Sequence, residues 1–225
     1  MDSPGGSSDV DRLIEEYWSA EKRLVQQILA EDHLHGEYRR QVVGVLDLWA
    51  RPEGGDGVLA TLPAVVCIAC GGDLCQAVPV CAAWRLFRLA AKLFDDVEDG
   101  DVRHGKAEQV NVAVGLVFIG QLALSTLAER DVPTDRVSLL AHRLSIAGLL
   151  ACGGQHADLT ADILNPDGWL QSARAKSGIP LGWGAWAGGL VAGVGRGTAD
   201  SYREYGCNLG VLLQVADDYN GVWHP

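Results

Sequence analysis

The sequence predicts an all-α fold in a single domain. Apolar residues recur at intervals of three and four along nearly the whole chain, which is the period of an amphipathic helix. No segment alternates apolar and polar residues as a half-buried strand does. The 225 residues are 48% apolar, which is enough to bury one substantial core. We therefore expect one helical bundle, in which helices that carry carboxylates face a central cavity.

The first half of the chain contains four predicted helices. Residues 1–9 lack the basic and apolar regions of a signal peptide and are predicted to form a disordered tail, so the helical domain spans residues 10–225. The Pro and Gly residues of 51–57 predict a loop, and Gly71-Gly72-Asp73 predicts a turn. The four helices are predicted at residues 11–30, 36–49, 63–70 and 74–99.

The second half continues with the same helical period. The segment 178–197 is rich in glycine, a residue of low helix propensity, and its helix is predicted from the apolar pattern. The helices of this half are predicted at residues 110–129, 134–152, 157–164, 167–177, 180–193 and 198–218.

The net negative charge of the chain excludes some classes of binding partner. The net charge is −11 and the pI is near 4.9, so nucleic acid and anionic membrane surfaces would be repelled. Charged residues or glycines interrupt the apolar stretches before the roughly 20 residues of a membrane span. We therefore expect a cytoplasmic protein that is not an integral membrane protein, in which local cations meet any anionic substrate.

Six cysteines include one Cys-x-x-Cys pair, Cys67 and Cys70. Such a pair can begin a zinc site or form a redox couple. These two residues lie in an apolar run, and no second pair or histidine cluster completes four ligands. The sequence favours small buried apolar residues over a metal site.

Two acidic clusters each end a strongly apolar helical stretch. The first contains Asp95, Asp96 and Asp99, and the second contains Asp217 and Asp218. On a helix, residues four apart share a face, so carboxylates of the first cluster converge on one small volume. Hard oxygen ligands of this kind suit Mg²⁺, which completes its coordination with waters and substrate phosphates. The alternative is that each cluster is a solvated helix end.

Four ordered motifs resemble those of the trans-isoprenyl diphosphate synthase family. The first is FDDVEDGDVRHGK at residues 94–106, which is similar to the first aspartate-rich motif and the basic loop that follows it. The others are GQHADL at 154–159, AKSG at 175–178, and the segment from YGCNLG at 205–210 to LQVADD at 213–218. The resemblance covers the chain from about Gly54 to its end.

The resemblance implies the isoprenoid synthase fold and a shared chemistry, in which three Mg²⁺ ions hold an allylic prenyl diphosphate and its C–O bond ionises. Asp95, Asp96 and Asp99 would bind two of the ions, and Asp217 the third with Asp218 nearby. The diphosphate would be bound by Arg103 and Lys176, with Gln155 and Gln214 as further candidates.

The resemblance also predicts a substrate cavity. Ala90 and Ala91 occupy positions where the family uses bulky side chains to shorten its products, so these small residues imply a C15 or C20 chain. Trp183 and Trp186 follow Lys176 by seven and ten residues and could stabilise a carbocation through their rings. Their alternative role is as ordinary core aromatics.

The chain departs from the family where isopentenyl diphosphate, the second substrate of chain elongation, is bound. The family uses a Gly-Lys-Arg-x-Arg-Pro segment and the second Arg of Arg-Arg-Gly; this chain has VLATLP at residues 58–63 and His104. Each lost charge-assisted hydrogen bond is worth about 1.5 to 3 kcal/mol. The site that forms the cation is retained, while the condensing site is altered.

We therefore expect a Mg²⁺-dependent, terpene synthase-like enzyme, whose allylic cation cyclises, loses a proton or captures water. One alternative is a conventional prenyl diphosphate synthase, if His104, Lys106 or a shifted alignment supplies the missing cations. Another is a non-catalytic regulatory subunit of a heteromeric prenyltransferase. The family runs on past the second motif, so its C-terminal helices are expected to be missing here. The chain would then be a shortened piece, or a natural short form that completes its cavity as a homodimer.

Overall fold

The computed structural model describes residues 9–30, 34–49, 57–102, 105–160 and 165–223. Within these ranges every regular element is helical and none is a strand, which confirms the all-α prediction. The predicted tail, residues 1–9, lies outside the described residues except for Asp9, where the first helix begins.

Ten α-helices, one 3-10 turn and one π-helical turn make up the described part of the chain. In order, they are α1 Asp9–Leu29, α2 Gly36–Trp49, α3 Gly57–Ala60, α4 Leu62–Ala69, α5 Leu74–Glu98, α6 Lys106–Ser125, the 3-10 turn Thr126–Glu129, α7 Thr134–Leu159, α8 Pro166–Ala173, the π turn Arg174–Gly178, α9 Ile179–Val191 and α10 Arg196–Trp223.

The predicted break between residues 152 and 157 is wrong, because α7 runs without interruption from Thr134 to Leu159. Gly154 has a packing role instead of a chain-breaking one. A Cβ atom at this position would lie 2.7 Å from the Lys176 backbone nitrogen and 3.0 Å from the Ser172 carbonyl oxygen. Glycine therefore lets α7 approach the π turn closely, and the last part of the helix predicted at 157–164 lies outside the described residues.

The core is built around α5 and α9. Helix α9 is buried on all sides from Pro180 to Val191, as expected of a helix that is apolar all round. It contacts α4, α5, α7 and α10. Helix α5 begins at the Asp73 cap, whose side chain accepts a hydrogen bond of 2.8 Å from the Cys75 backbone nitrogen. Its C-terminal end carries the first acidic cluster to the rim of this core.

The cysteines of the Cys-x-x-Cys pair pack as the sequence favoured, with Cys67 buried and Cys70 half-buried. Burial raises the pKa of the Cys67 thiol to about 11, which keeps it protonated at neutral pH and makes it a poor metal ligand or nucleophile. The other cysteines vary in exposure: Cys81 and Cys207 are buried, whereas Cys75 and Cys152 are exposed.

Three helices are long and apolar enough to cross a membrane by length and composition alone, so the prediction that no stretch reaches that length is wrong. They are Leu74–Glu98, Lys106–Glu129 and Thr134–Leu159, and their most apolar windows are 67%, 44% and 28% buried in the fold. Most of the apolar window of the first helix is therefore buried in the core, whereas much of the window of each of the other two is exposed.

A glycine on α10 fixes how closely that helix approaches the π turn. A Cβ at Gly210 would lie 2.7 Å from the Gly178 Cα and closer still to the Ser177 carbonyl oxygen. We predict that Gly210→Ala lowers the free energy of unfolding by about 2 to 3 kcal/mol, because the backbones must separate. Gly197→Ala, on the same helix but with nothing within 4 Å of its Cβ, is the matched control. Urea denaturation of both variants measures the difference, and equal stabilities would contradict the prediction.

Candidate active site

The acidic end of α5 is paired with a lysine from the same helix. The Lys92 ammonium lies 2.7 Å from Asp96 Oδ1 and 3.7 Å from Asp95 Oδ2. The hydrogen bond to Asp96 is the main cause that raises the pKa of Lys92. Asp99 caps the C-terminus of α5 and is exposed.

A second lysine joins α5 to α7. Lys176, on the π turn, places its ammonium 3.5 Å from Asp95 Oδ1 and 3.4 Å from Asp158 Oδ2. The Asp158 carboxylate is also held by the Ser172 hydroxyl, at 2.8 Å from Oδ1. Short π-helical segments occur frequently at functional sites, because the extra residue redirects a side chain. Here it directs a cation between two carboxylates.

Gln155 reaches the same carboxylates from α7. Its amide nitrogen donates to Glu98 Oε2 at 2.8 Å and lies 3.4 Å from Asp95 Oδ1. Gln155 and Asp158 are three residues apart on one helix, and so share a face. Together with Lys176 they fix the position of the first acidic cluster relative to α7.

The second acidic cluster is held by a chain of hydrogen bonds. Asp218 accepts from the Gln214 amide and from the Trp169 indole nitrogen, each at 2.8 Å. The Gln214 carbonyl oxygen in turn accepts from the Ser177 hydroxyl at 2.7 Å. Asp217 is exposed. Asp218, not Asp217, is therefore the carboxylate of this pair that the network orients.

A cavity of about 330 Å³ lies between these two networks. Its lining residues come from α7, α8 and α10: Asp158, Trp169, Ala173, Gln214 and Asp218. Through Lys176, the Asp158 wall is joined to Asp95 on α5. The first acidic cluster thus connects to one side of the cavity, and Asp218 of the second cluster lies on the other.

The four residues predicted to line a hydrocarbon cavity lie elsewhere. Ala90 is 1% exposed within the core, while Ala91 is exposed. Trp183 and Trp186 are both buried, and the Trp183 indole donates to the Leu140 carbonyl oxygen at 3.2 Å. None of them lines the cavity described above, and the aromatic side chain that does is Trp169. Arg103, predicted to bind diphosphate, lies outside the described residues.

Sequence reasoning missed Asp158, Trp169, Ser172, Ser177 and Lys92 as members of the site. A signal for Asp158 was present in its spacing of three from Gln155. Trp169 lies seven residues before Lys176 in the sequence, and Trp183 lies seven residues after it. The distance from Lys176 therefore did not show which of the two tryptophans lines the cavity.

The donor chemistry of the site fits Mg²⁺. Asp158 and Asp218 supply carboxylate oxygens in the cavity lining, and Asp95 and Asp96 supply them at the end of α5, which Lys176 joins to Asp158. Hard oxygen donors are the ligands that this ion prefers. Among residues 9–30, 34–49, 57–102, 105–160 and 165–223, however, no three acid, histidine or cysteine side chains come close enough to hold a metal ion as they stand. Lysines pair with the α5 carboxylates in this arrangement, so holding an ion requires these side chains to turn.

Known proteins are similar to this chain in sequence and in fold. No family model matches the chain. Geranylgeranyl diphosphate synthase of Mycobacterium tuberculosis (strain ATCC 25618 / H37Rv) is 34% identical over 173 residues, which cover 73% of this chain and 49% of the relative. The solved structure of a polyprenyl synthetase from Streptomyces coelicolor A3(2) superposes with a TM-score of 0.73 at 26% identity, over 96% of this chain and 68% of that one.

These similarities confirm the resemblance to the trans-isoprenyl diphosphate synthase family. A further relative is the chloroplastic small subunit of a heterodimeric geranylgeranyl pyrophosphate synthase from Arabidopsis thaliana, 29% identical over 69% of this chain and 53% of the relative. The chain spans about half the length of the curated relatives it matches. The structural similarity confirms the isoprenoid synthase fold.

Trp169 provides a test of the network around Asp218. Trp169→Phe keeps an aromatic ring against the cavity but removes the indole nitrogen that donates to Asp218. For the turnover of a prenyl diphosphate that we propose below, the expected result is about a tenfold loss of kcat, since one hydrogen bond to a charged group contributes about 1.5 to 3 kcal/mol. Trp183→Phe, which removes an indole bond in the core, is the control for loss of stability. A Trp169→Phe enzyme with unchanged kcat would contradict the assignment.

Proposed function

We propose that the chain binds an allylic prenyl diphosphate of C15 or C20 length at this cavity and catalyses Mg²⁺-dependent prenyl transfer. The observation that supports this best is the lysine bridge from Asp95 to Asp158, with Asp218 across the same cavity. A cation set among carboxylates suits a ligand that carries both negative charge and divalent ions. The relatives include synthases of prenyl diphosphates, which favours prenyl transfer over the terpene synthase-like expectation.

Some residues of the chain would bind the metal ions and the diphosphate by charge, and others would orient those residues. Asp95, Asp96 and Asp218 would hold Mg²⁺, with Asp99 and Asp217 as the further ligands expected from the motifs and three ions in total. When bound, Mg²⁺ stabilises the negative charge that develops on the leaving diphosphate. Lys176 donates hydrogen bonds to that diphosphate, and Arg103 is predicted to do the same. Placing cations where charge develops is usually the largest catalytic term.

The amide and hydroxyl groups hold the carboxylates in position. Gln155 would orient Asp95, and Ser177 would orient Asp218 through Gln214. Such supports keep ligand oxygens aimed at one point, which matters because metal sites lose affinity when their outer partners are removed.

A second candidate function is terpene synthase-like turnover without isopentenyl diphosphate. It is supported by the segment that replaces the family's basic residues. Ala60 and Leu62 are 1% and 7% exposed, and the Leu59 carbonyl oxygen accepts the Trp84 indole nitrogen at 2.9 Å. An apolar, packed segment offers no cation to a second diphosphate. An allylic cation formed beside it would cyclise, lose a proton or capture water.

The similarity to a heterodimeric small subunit supports a third reading, in which the chain is a non-catalytic partner of another prenyltransferase. This reading predicts no turnover by the chain alone. The lysine-paired carboxylates would then have a structural role.

One assay separates the three readings. Purified protein is incubated with Mg²⁺ and radiolabelled farnesyl or geranylgeranyl diphosphate, with and without isopentenyl diphosphate. Longer diphosphates that require isopentenyl diphosphate are the expected result. Hydrocarbons or alcohols formed in its absence would replace the proposal by the terpene synthase-like function. Inactivity that a catalytic subunit reverses would replace it by the third reading.

We also propose that the chain forms a homodimer in the cytoplasm and is not an integral membrane protein. Helices α6 and α7 expose apolar side chains that a second copy would cover. They include Val114, Phe118, Leu122, Ile146, Leu149 and Leu150, of which Leu149 is 69% and Phe118 64% exposed. Sedimentation equilibrium without detergent is expected to give twice the mass of one chain, and a single-chain mass or a need for detergent would reject this part of the proposal.

A further inference from the structure

Lys92 is placed where a metal ion would compete with it. It lies one turn before the acidic end of α5, and its ammonium contacts both carboxylates that the proposed function assigns to Mg²⁺. Asp95 is also contacted on its other oxygen by Lys176. The Asp95 carboxylate thus has a lysine at each oxygen, and only one of these lysines, Lys176, comes from another element.

We propose that Lys92 is a tethered cation that competes with Mg²⁺ for Asp95 and Asp96, and so sets the metal concentration at which the site fills. This inference rests on the proposed function. Lys92 differs from Lys176 in what it can reach. Lys176 bridges Asp95 on α5 and Asp158 on the cavity wall, so it can contact a diphosphate bound in the cavity. Lys92 contacts only carboxylates of its own helix among the ion pairs found in the described residues.

Competition follows from the charges and distances. An ion bound to Asp95 and Asp96 must lie within a few ångströms of their oxygens, which is the volume that the Lys92 ammonium borders at 2.7 Å from Asp96. Like charges so close repel strongly. The Lys92 side chain is 46% exposed, so it can swing aside into solvent, but its tether keeps the positive charge nearby. The lysine therefore weakens metal binding without blocking it.

The test is a titration with Mn²⁺ alone, in which electron paramagnetic resonance counts the free ion, on wild type, Lys92→Gln and Lys22→Gln. Lys22 pairs with Asp47 at 3.4 Å and, among the described ion pairs, with no carboxylate of the acidic cluster. Its replacement removes the same charge as Lys92→Gln. We expect Lys92→Gln to lower the Kd for Mn²⁺ about tenfold through the lost repulsion, and Lys22→Gln to leave it within about twofold. Lys92→Arg, which keeps the charge, is expected to bind as wild type does.

An unchanged or weakened affinity in Lys92→Gln would overturn the inference, and a weakened one would show that Lys92 positions the carboxylates. The proposed function survives that result as long as wild type binds Mn²⁺ and turns over a prenyl diphosphate. If neither wild type nor Lys92→Gln binds Mn²⁺ at millimolar concentration, both the inference and the proposed metal site fail. Circular dichroism melts confirm that the variants are folded.

Discussion

Asp95→Asn is expected to lower turnover of a prenyl diphosphate by at least about a thousandfold, because it removes a charge from the group that holds the metal and the diphosphate. Asp95 is the carboxylate at which most of the network meets: Lys92, Lys176 and Gln155 all contact it. Asparagine keeps the shape and the possibility of hydrogen bonding, so the change tests the charge and not the packing.

The control for this prediction is Asp47→Asn, which removes an exposed carboxylate from an ion pair between α1 and α2 and is expected to leave kcat within about twofold, as surface pairs contribute little. Steady-state release of pyrophosphate measures both variants at saturating Mg²⁺. Asp95→Asn with a rate within tenfold of wild type would show that the carboxylate does not take part in the reaction.

Lys176→Met is expected to lower kcat/KM by about a hundredfold to a thousandfold, because it removes the cation on the π turn that contacts Asp158 of the cavity wall. A second consequence follows from the structure. Asp95 and Asp158 share this lysine, so removing it leaves two carboxylates facing each other. The variant is therefore expected to need diphosphate and Mg²⁺ to keep this wall of the cavity together.

Arg174→Met is the matched control, since Arg174 lies on the same π turn but pairs with Glu204 at 2.9 Å instead of with a site carboxylate. Lys176→Arg should recover part of the lost activity, as it restores the charge with a different shape. Equal losses in Lys176→Met and Arg174→Met would mean that the turn, and not the lysine, is what activity requires.

The sequence was a good guide wherever one periodic pattern determined the answer. The 3.6-residue period set the all-α fold, and the bounds of α2 and α5 came within one residue of those predicted. The error at Gly153-Gly154 has a physical cause. Glycine lowers helix propensity locally, but the packing of α7 on the π turn compensates for this loss. Gly154, which weakens the helix, is also the residue that lets α7 approach the π turn closely.

The candidate site was only partly predictable. Asp95, Lys176, Gln155 and Gln214 were selected from motifs, and the structure brings each of them into the network. Trp169 and Asp158 were missed because their role depends on how α7 and α8 meet α10 in three dimensions. Trp183 has the same spacing from Lys176 as Trp169 has. Its indole lies in the core, however, where its ring centroid is 6.3 Å from that of Trp84. Spacing alone does not distinguish a cavity aromatic from a core aromatic.

The central claim is that the two acidic clusters and Lys176 together hold a diphosphate through Mg²⁺. Isothermal titration calorimetry with inorganic pyrophosphate, run with Mg²⁺ and again with a chelator, tests it most directly. We predict saturable binding only when Mg²⁺ is present, and its loss in Asp95→Asn. Pyrophosphate that binds equally well without the ion, or that does not bind in its presence, would contradict the account.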